Sequence, residues 1–191
     1  MKKDQKRWDE RYRRRGFVFP KGPHPFLKKN LRLLPKGRAL DLAAGEGRNA
    51  IFLAEKGFEV DAVDISEVAL KKARQWARAK GLRIRTFVAD LDTYSIDEEG
   101  YDVIANFYFL RRRLIPKIKK GLKKGGKVIF ETYLLEQRTI GVAGPKNPRY
   151  FLKPNELLDW FRDFRVLVYR EGVFREGGRK KAIASLVAEK I

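Results

Sequence analysis

Residues 40–50 read LDLAAGEGRNA: the end of an apolar run, small residues gathered around one acid, and then a pattern that starts a helix. Gly45 and Gly47 carry no Cβ, and Ala43 and Ala44 carry little more. A backbone this bare can pass against a ligand and turn its N–H groups toward it. A strand, a small-residue turn and a helix in that order decide how the rest of the chain is read.

Working outward, RALDLA (38–43) is a buried strand, and RNAIFLAEKG (48–57) is a helix with Gly57 just past its end. FEVDAVD (58–64) is a second strand. SEVALKKARQWARAKG (66–81) is a helix with Ser66 as N-cap, Glu67 in its first turn, and Leu70, Ala73, Trp76 and Ala77 on one face. RIRTFVAD (83–90), YDVIANF (101–107) and GKVIFETYL (126–134) continue the strands, with a basic helix near 111–121 between the last two. Such alternation predicts a parallel sheet covered on both faces.

Both ends of the chain depart from that rhythm. Two short helices open it, near 3–14 and 24–34, before Pro35 and Gly37 break the pattern. After an irregular GVAGPKNPRYFLKP (141–154) come a helix, NELLDWFRDF, and two β-rich runs, RVLVYREGVF and KAIASLVAEK, joined by REGGRK. So short a Gly-containing connection makes a hairpin, and at least one run is then antiparallel to the sheet. The expectation is one α/β domain over 1–191, Rossmann-like and doubly wound. A helical N-terminal cap (1–36) precedes a mostly parallel seven-stranded core (37–191) that ends in an antiparallel hairpin strand.

Composition limits the chemistry. There is no Cys, so disulfides, thiolate metal sites and a Cys nucleophile are excluded. The one histidine, His24, lies in a Pro-flanked stretch and reads as an ordinary surface or turn residue, which leaves no His-rich metal cluster. No metal is expected. Nowhere do about 18 apolar residues run together, and the basic N-terminus has no apolar h-region. A cytoplasmic protein with no membrane partner follows as an expectation. High charge with no Cys and one Met also fits a thermophilic source.

The net charge is +20, unevenly spread. Residues 1–40 hold fourteen Lys and Arg against three acids, and residues 110–127 hold nine basic residues and no acid. Residues 41–64, by contrast, hold six acids and two bases. An acidic centre framed by basic flanks can attract an anionic partner, nucleic acid included, or can simply be a solvated lysine-rich surface.

In an open α/β sheet, ligands meet the carboxyl ends of the strands where strand order reverses, and the first strand-to-helix turn is part of that place. Seventeen residues after Gly47 the second strand ends in Asp64, where a carboxylate can accept both hydroxyls of a ribose. A nucleoside-containing cofactor is implied. Gly45-x-Gly47-x-x-Ala50 also satisfies a dinucleotide fingerprint, but Asp41 would repel a pyrophosphate while favouring the amino group of a methionine moiety. Asp90, at the end of the third strand, can accept from an adenine amino group.

These stretches resemble the class I S-adenosylmethionine-dependent methyltransferases. LDLAAGEGRNA is similar to their first motif, AVDIS to the acidic second-strand end, VADLD to the adenine-binding third-strand end, and LKKGGKVIFETY to the glycine pair before the fifth strand. RWDERY, LDLAAGEGRNAIFLAEKGFEVDAVDIS and GPKNPRYFLKPNEL are similar to the small tellurite-resistance-type methyltransferases within that class. The resemblance implies S-adenosyl-L-methionine as cofactor and methyl transfer as activity. By position, Ala43 to Gly47 would wrap the methionine and ribose portions, and Asp64 would bind the ribose. Ile65 and Leu91 would pack on adenine, Asp90 would bind its amino group, and Asn106 and Phe107 would face the methyl. Ala43 stands where the class commonly has Gly.

On the acceptor side, NFYF (106–109) lacks the prolines of amino-methylating enzymes, and Tyr108 reads as a pocket wall. Trp8, Arg11 and Tyr12 share a helix face and can lid the site, with Arg11 meeting a carboxylate, or can serve as a plain amphipathic docking face. Tyr133 and Tyr150 are further candidate walls. No residue announces itself as a catalytic base. The expected acceptor is a small molecule reached by direct displacement, with RNA as the alternative; an NAD-linked oxidoreductase and a non-catalytic cofactor binder are remoter.

Overall fold

A computed structural model describes residues 2–140, 144–176 and 178–191. Residues 141–143 of the irregular segment and Gly177 of the hairpin turn lie outside them. Helices α1 (Lys2–Tyr12) and α2 (Pro25–Asn30) precede β1 (Arg38–Leu42), α3 (Arg48–Glu55), β2 (Glu59–Asp64), α4 (Glu67–Ala79), β3 (Arg85–Val88) and β4 (Tyr101–Phe107). Then follow α5 (Leu114–Gly121), β5 (Leu122–Tyr133), α6 (Gln137–Ile140), α7 (Glu156–Trp160), β6 (Arg165–Glu176) and β7 (Arg179–Glu189).

The strands form one seven-stranded sheet in the order β3-β2-β1-β4-β5-β7-β6. β1 to β5 run parallel, β7 is antiparallel to β5, and β6 is antiparallel to β7. The chain steps outward from β1 to β2 and β3, then returns to β4 on β1's other side. The carboxyl ends of β1 and β4 are therefore the switch point at which open sheets bind ligands.

Both faces are covered, which is why the central strands are apolar throughout rather than alternating. On one face Phe26 and Leu27 of α2, Ala50, Phe52 and Leu53 of α3 and Leu70 of α4 pack on Ala39, Ala62, Ala105 and Ile129. On the other, Leu114, Ile115 and Ile118 of α5 and Leu157 of α7 pack on Leu40, Leu42, Ile104, Val128 and Phe130. The amphipathic pattern thus turns α5's apolar residues to the sheet and its basic ones outward.

Several boundaries move, each for a local reason. The second expected helix stops at Asn30 and continues only as a 3-10 turn over Leu31–Leu33. His24 is no surface residue: it is 2% exposed, and its Nδ1 accepts from the Phe26 N–H, capping α2. The basic helix starts at Leu114, after a turn through Arg111–Arg113. β5 starts at Leu122 rather than 126, because an irregularity between Tyr101 and Val103 of β4 lets the chain pair on either side of Gly125 and Gly126. The helix expected over 155–164 spans only Glu156–Trp160.

Among the acids of the 41–64 stretch, Asp61 is fully buried and accepts from Arg38, Arg85 and the Tyr101 hydroxyl. It ties together the starts of β1, β3 and β4, away from the switch point. Part of the acidic centre is therefore internal bracing.

Candidate active site

The loop after β1 is set by its backbone. Ala43, Gly45 and Gly47 all have positive φ, at 53°, 55° and 82°. The left-handed conformation suits glycine, but at Ala43 it costs about 1–2 kcal/mol. The two glycines serve different neighbours. A Cβ on Gly45 would stand 2.8 Å from the Tyr12 hydroxyl oxygen, whereas one on Gly47 would stand 2.7 Å from the Cβ of Ala73 on α4. Gly45 lets the N-terminal cap approach, and Gly47 lets α4 pack against the start of α3.

Asp64 fixes the loop from the next strand. Its Oδ2 accepts from the Gly45 N–H and its Oδ1 from the Ser66 N–H, both at 2.8 Å. Burial pushes its pKa up, against these hydrogen bonds, which pull it down. Ser66 caps α4 by accepting from the Ala69 N–H, and its hydroxyl donates to Asp9 of α1 at 2.6 Å. Glu46, also buried, accepts from the N–H groups of Val18 and Phe19 and pairs with Lys72. The cap thus closes on the loop through Glu46 and on the start of α4 through Asp9.

Tyr12 is buried over Gly45 and stacks on Trp8, with ring centroids 5.8 Å apart. Burial, then the carboxylates of Asp64 and Glu46, raise its pKa. Arg11 is exposed and lies over the rings of Trp8 and Phe19 rather than beside a carboxylate. Asp90 Oδ1 accepts from the Asp92 N–H at 3.0 Å. Leu91 is buried in the core face shared with Leu42 and Val63, and Ile65 is half-buried behind Asp64.

Among the described residues, three buried side-chain polar atoms have no hydrogen-bond partner: Asp41 Oδ2, Arg48 Nε and Asn106 Oδ1. They belong to the end of β1, the start of α3 and the end of β4, the elements of the switch point. Buried polar atoms are normally satisfied, so each exception calls for a partner from outside the chain, such as a water, an ion or a ligand, or for a catalytic role. Burial raises the Asp41 pKa to about 7, with Asp64 adding to the rise.

Beside these atoms lies a polar network that the sequence did not announce. Glu131 of β5 is fully buried and accepts from the Tyr108 hydroxyl at 3.1 Å, Ser185 Oγ at 2.7 Å and Arg170 Nη2 at 3.0 Å. His24 Nε2 lies 3.3 Å from the same carboxylate. Burial, then Arg48, Lys181 and Arg170, lower the His24 pKa to about 3, so the imidazole is neutral. It stacks on Phe107 at 4.5 Å.

Tyr108 itself has φ 55°, accepts from Lys181 Nζ at 3.1 Å, and stacks on Tyr133 at 4.6 Å. Strained residues of this kind concentrate at functional sites. Tyr150 stands apart from that pair, under Arg111, whose guanidinium lies 4.8 Å from its ring centroid. The one signal for the network is a carboxylate, Glu131, directly after the apolar run Val128–Phe130 of β5. No group of three or more metal-binding side chains occurs among the described residues, and no helix among them is long and apolar enough to cross a membrane.

Comparisons with known proteins agree on a family and a fold. The family model for "Tellurite resistance protein TehB" matches residues 21–180. A probable S-adenosyl-L-methionine-dependent methyltransferase TehB of Haemophilus influenzae is 27% identical over 146 residues, 74% of this chain and 51% of that protein. The chain therefore spans about half the length of the curated TehB relatives it matches. A sarcosine/dimethylglycine N-methyltransferase of Aphanothece halophytica is 32% identical over 101 residues, 49% of this chain and 36% of that one. Among solved structures, TehB from Haemophilus influenzae superposes with a TM-score of 0.77 at 21% identity, over 98% of this chain and 67% of the other. A methyltransferase from Methanosarcina mazei gives 0.70 at 18% identity, over 89% and 99%. At these identities the superpositions establish the fold.

Proposed function

The chain belongs to the TehB family of tellurite resistance proteins, and from that premise we propose that it is an S-adenosylmethionine-dependent methyltransferase acting on a small-molecule acceptor. The observation that carries the proposal is the set of unpartnered atoms at the switch point. Asp41 Oδ2 is a buried acceptor with nothing to accept from, Asn106 Oδ1 is a second, and Arg48 Nε is a buried donor. A cofactor bearing an α-amino acid and an adenosine supplies the missing partners, so the residues present fit that group.

In this reading Asp41 holds the ammonium, and the Ala43–Gly47 loop lies along the methionine and ribose portions. Asp64, already oriented by Gly45 and Ser66, offers its remaining lone pairs to the ribose hydroxyls. Ile65 and Leu91 flank the adenine, and Asp90 accepts from its amino group. When bound, S-adenosylmethionine supplies a sulfonium methyl that passes to the acceptor by direct displacement. The protein's own contribution is positioning, which can supply most of such a barrier reduction.

Asn106, Phe107, Tyr108 and Tyr133 form the acceptor side, with Tyr12 and Trp8 closing it from above. The neutral His24 is tied at both nitrogens and acts in this arrangement as a brace rather than a base. The chain is read as one domain, cytoplasmic and heat-adapted, on its high charge and lack of Cys.

The RNA alternative loses support on α5 and the turn before it. Arg112 donates to Glu156 and to the carbonyls of Arg149 and Phe151, Lys119 pairs with Asp163, and Arg111 pairs with Asp92. Three cations of the basic 110–127 flank are thus paired within the chain. The deciding experiment incubates the protein with methyl-labelled S-adenosylmethionine and separate metabolite and RNA pools. Label in a metabolite supports the proposal; label confined to RNA overturns the small-molecule acceptor.

A further inference from the structure

β2 pairs with β1 from Glu59 onward but with β3 only from Asp61, whose neighbour there is Arg85. Glu59 and Val60 therefore border a notch at the corner of the sheet. The first residues of β2 form one side of it, α4 a second, and the turn leading into β3 a third. The space is about 480 Å³, a size that suits a small ligand. It lies at the amino ends of the strands, the opposite end of the sheet from the β1–β4 crevice.

The lining has two characters. Val60 and Ala77 are buried and Leu82 and Ile84 half-buried, which makes an apolar floor. Around it stand four arginines, at 74, 78, 83 and 85, against one acid, Glu59. Two of the four are committed to the fold. Arg85 donates to both oxygens of Asp61, at 2.6 and 2.9 Å, and Arg74 donates to Thr86 Oγ1 at 2.9 Å and pairs with Glu67. The other two are not: Arg78 and Arg83 are exposed and make no hydrogen bond, ion pair or ring contact among the described residues.

Each of these two has an ordinary explanation by itself. Arg78 stands in the last turn of α4, where the helix dipole favours a cation. Arg83 stands just before an edge strand, where a charge discourages pairing with another chain. Neither explanation requires both to flank one apolar-floored cleft. A guanidinium fork matches phosphate oxygens two at a time, and an apolar floor matches the flat face of a base.

We propose that this corner is a second ligand site, separate from methyl transfer, for a phosphorylated ligand of nucleotide size. Arg78 and Arg83 hold its phosphates, and Val60, Ala77, Leu82 and Ile84 carry its base. The phosphates come from a free nucleotide or from a nucleic acid strand, either of which the net charge of +20 attracts. The rival is that the two arginines are solvated surface charges.

Calorimetric titration of the full chain with UDP, uridine and a single-stranded oligouridylate separates these, since uracil ligands avoid an adenine site. UDP should bind at least about tenfold more tightly than uridine, as expected for charge-assisted bonds. The double variant Arg78→Gln, Arg83→Gln should lose that preference and keep S-adenosylhomocysteine binding within about twofold, because the two sites are far apart. Both positions are exposed, so the melting temperature should not move.

The third ligand identifies the source of the phosphates. Oligouridylate binding tighter than UDP, with a salt dependence that flattens in the double variant, assigns them to a strand. UDP binding at least as tight as the oligomer assigns them to a free nucleotide. A wild type that binds UDP no more tightly than uridine, or a double variant that keeps the preference, would overturn the site.

Discussion

Asp64 Oδ2 accepts a hydrogen bond from the Gly45 N–H at 2.8 Å, so the acid that ends β2 and the loop that follows β1 are one mechanical unit. That bond gives Asp64 two tasks, shaping the loop and facing the ribose. Asp64→Ala should weaken S-adenosylhomocysteine binding by about 1.5–3 kcal/mol, the range for hydrogen bonds to a charged group. It should also lower the melting temperature, since the Gly45 and Ser66 N–H groups lose their acceptor. Calorimetry and a thermal melt on the same variant check both halves; unchanged affinity in a folded variant would remove Asp64 from the site.

Ala43 carries a Cβ in a left-handed conformation, φ 53°, that glycine adopts without penalty. Ala43→Gly should therefore raise the unfolding free energy by about 1 kcal/mol or leave it level, since relief of strain competes with the greater freedom of the unfolded chain. Ala43→Val should lower it by more than that. Urea denaturation of the three proteins ranks them, and a destabilised glycine variant would contradict the strain argument.

Asp41 gives a pH signature. Its pKa, about 7 in the fold, stands above the ordinary carboxylate value. The unfolded chain therefore ionises first as pH rises, and stability is lost between about pH 4 and pH 7. Asp41→Asn should then stabilise the ligand-free protein more at pH 8 than at pH 4. The groups facing Asp41 are Asp64, which adds to the rise, and Arg48, which opposes it. Binding of an ammonium favours the ionised form, so S-adenosylhomocysteine affinity should fall as pH drops from 8 to 6, while 5′-methylthioadenosine affinity stays flat. A flat profile for both ligands would separate Asp41 from the amino group.

The alternation of strands and helices was legible because apolar runs and glycine stops repeat along the chain, and the ligand side of the sheet followed from the loop at 43–47. The Glu131 network was not legible, because His24, Tyr108, Arg170 and Ser185 are scattered over more than 160 residues and meet only when β5, β6 and β7 pair. His24 was misplaced for the same reason: a Pro-flanked histidine looks like a turn until α2 packs it under Phe107. Arg48 did leave a trace, a cation on the first residue of a helix, which the glycine spacing overshadowed.

Arg112 tests the basic flank. Its guanidinium donates to both oxygens of Glu156 and to two backbone carbonyls, so it fastens the start of α7 and the Tyr150 turn to the end of β4. Arg112→Gln should cost about 1 kcal/mol of stability, as befits a part-exposed but multiply bonded pair. It should leave the salt dependence of any RNA binding unchanged. A phosphate contact at Arg112 would instead lower the log–log slope by about 0.7 to 0.9 on its removal.

The central claim is that the β1–β4 crevice is built for S-adenosylmethionine rather than a dinucleotide. Calorimetric titration of the full chain with S-adenosylhomocysteine and, separately, with NADH tests it most directly. Saturable one-to-one binding of S-adenosylhomocysteine, with no heat from NADH, is the predicted result; saturable NADH binding with none for S-adenosylhomocysteine would contradict it.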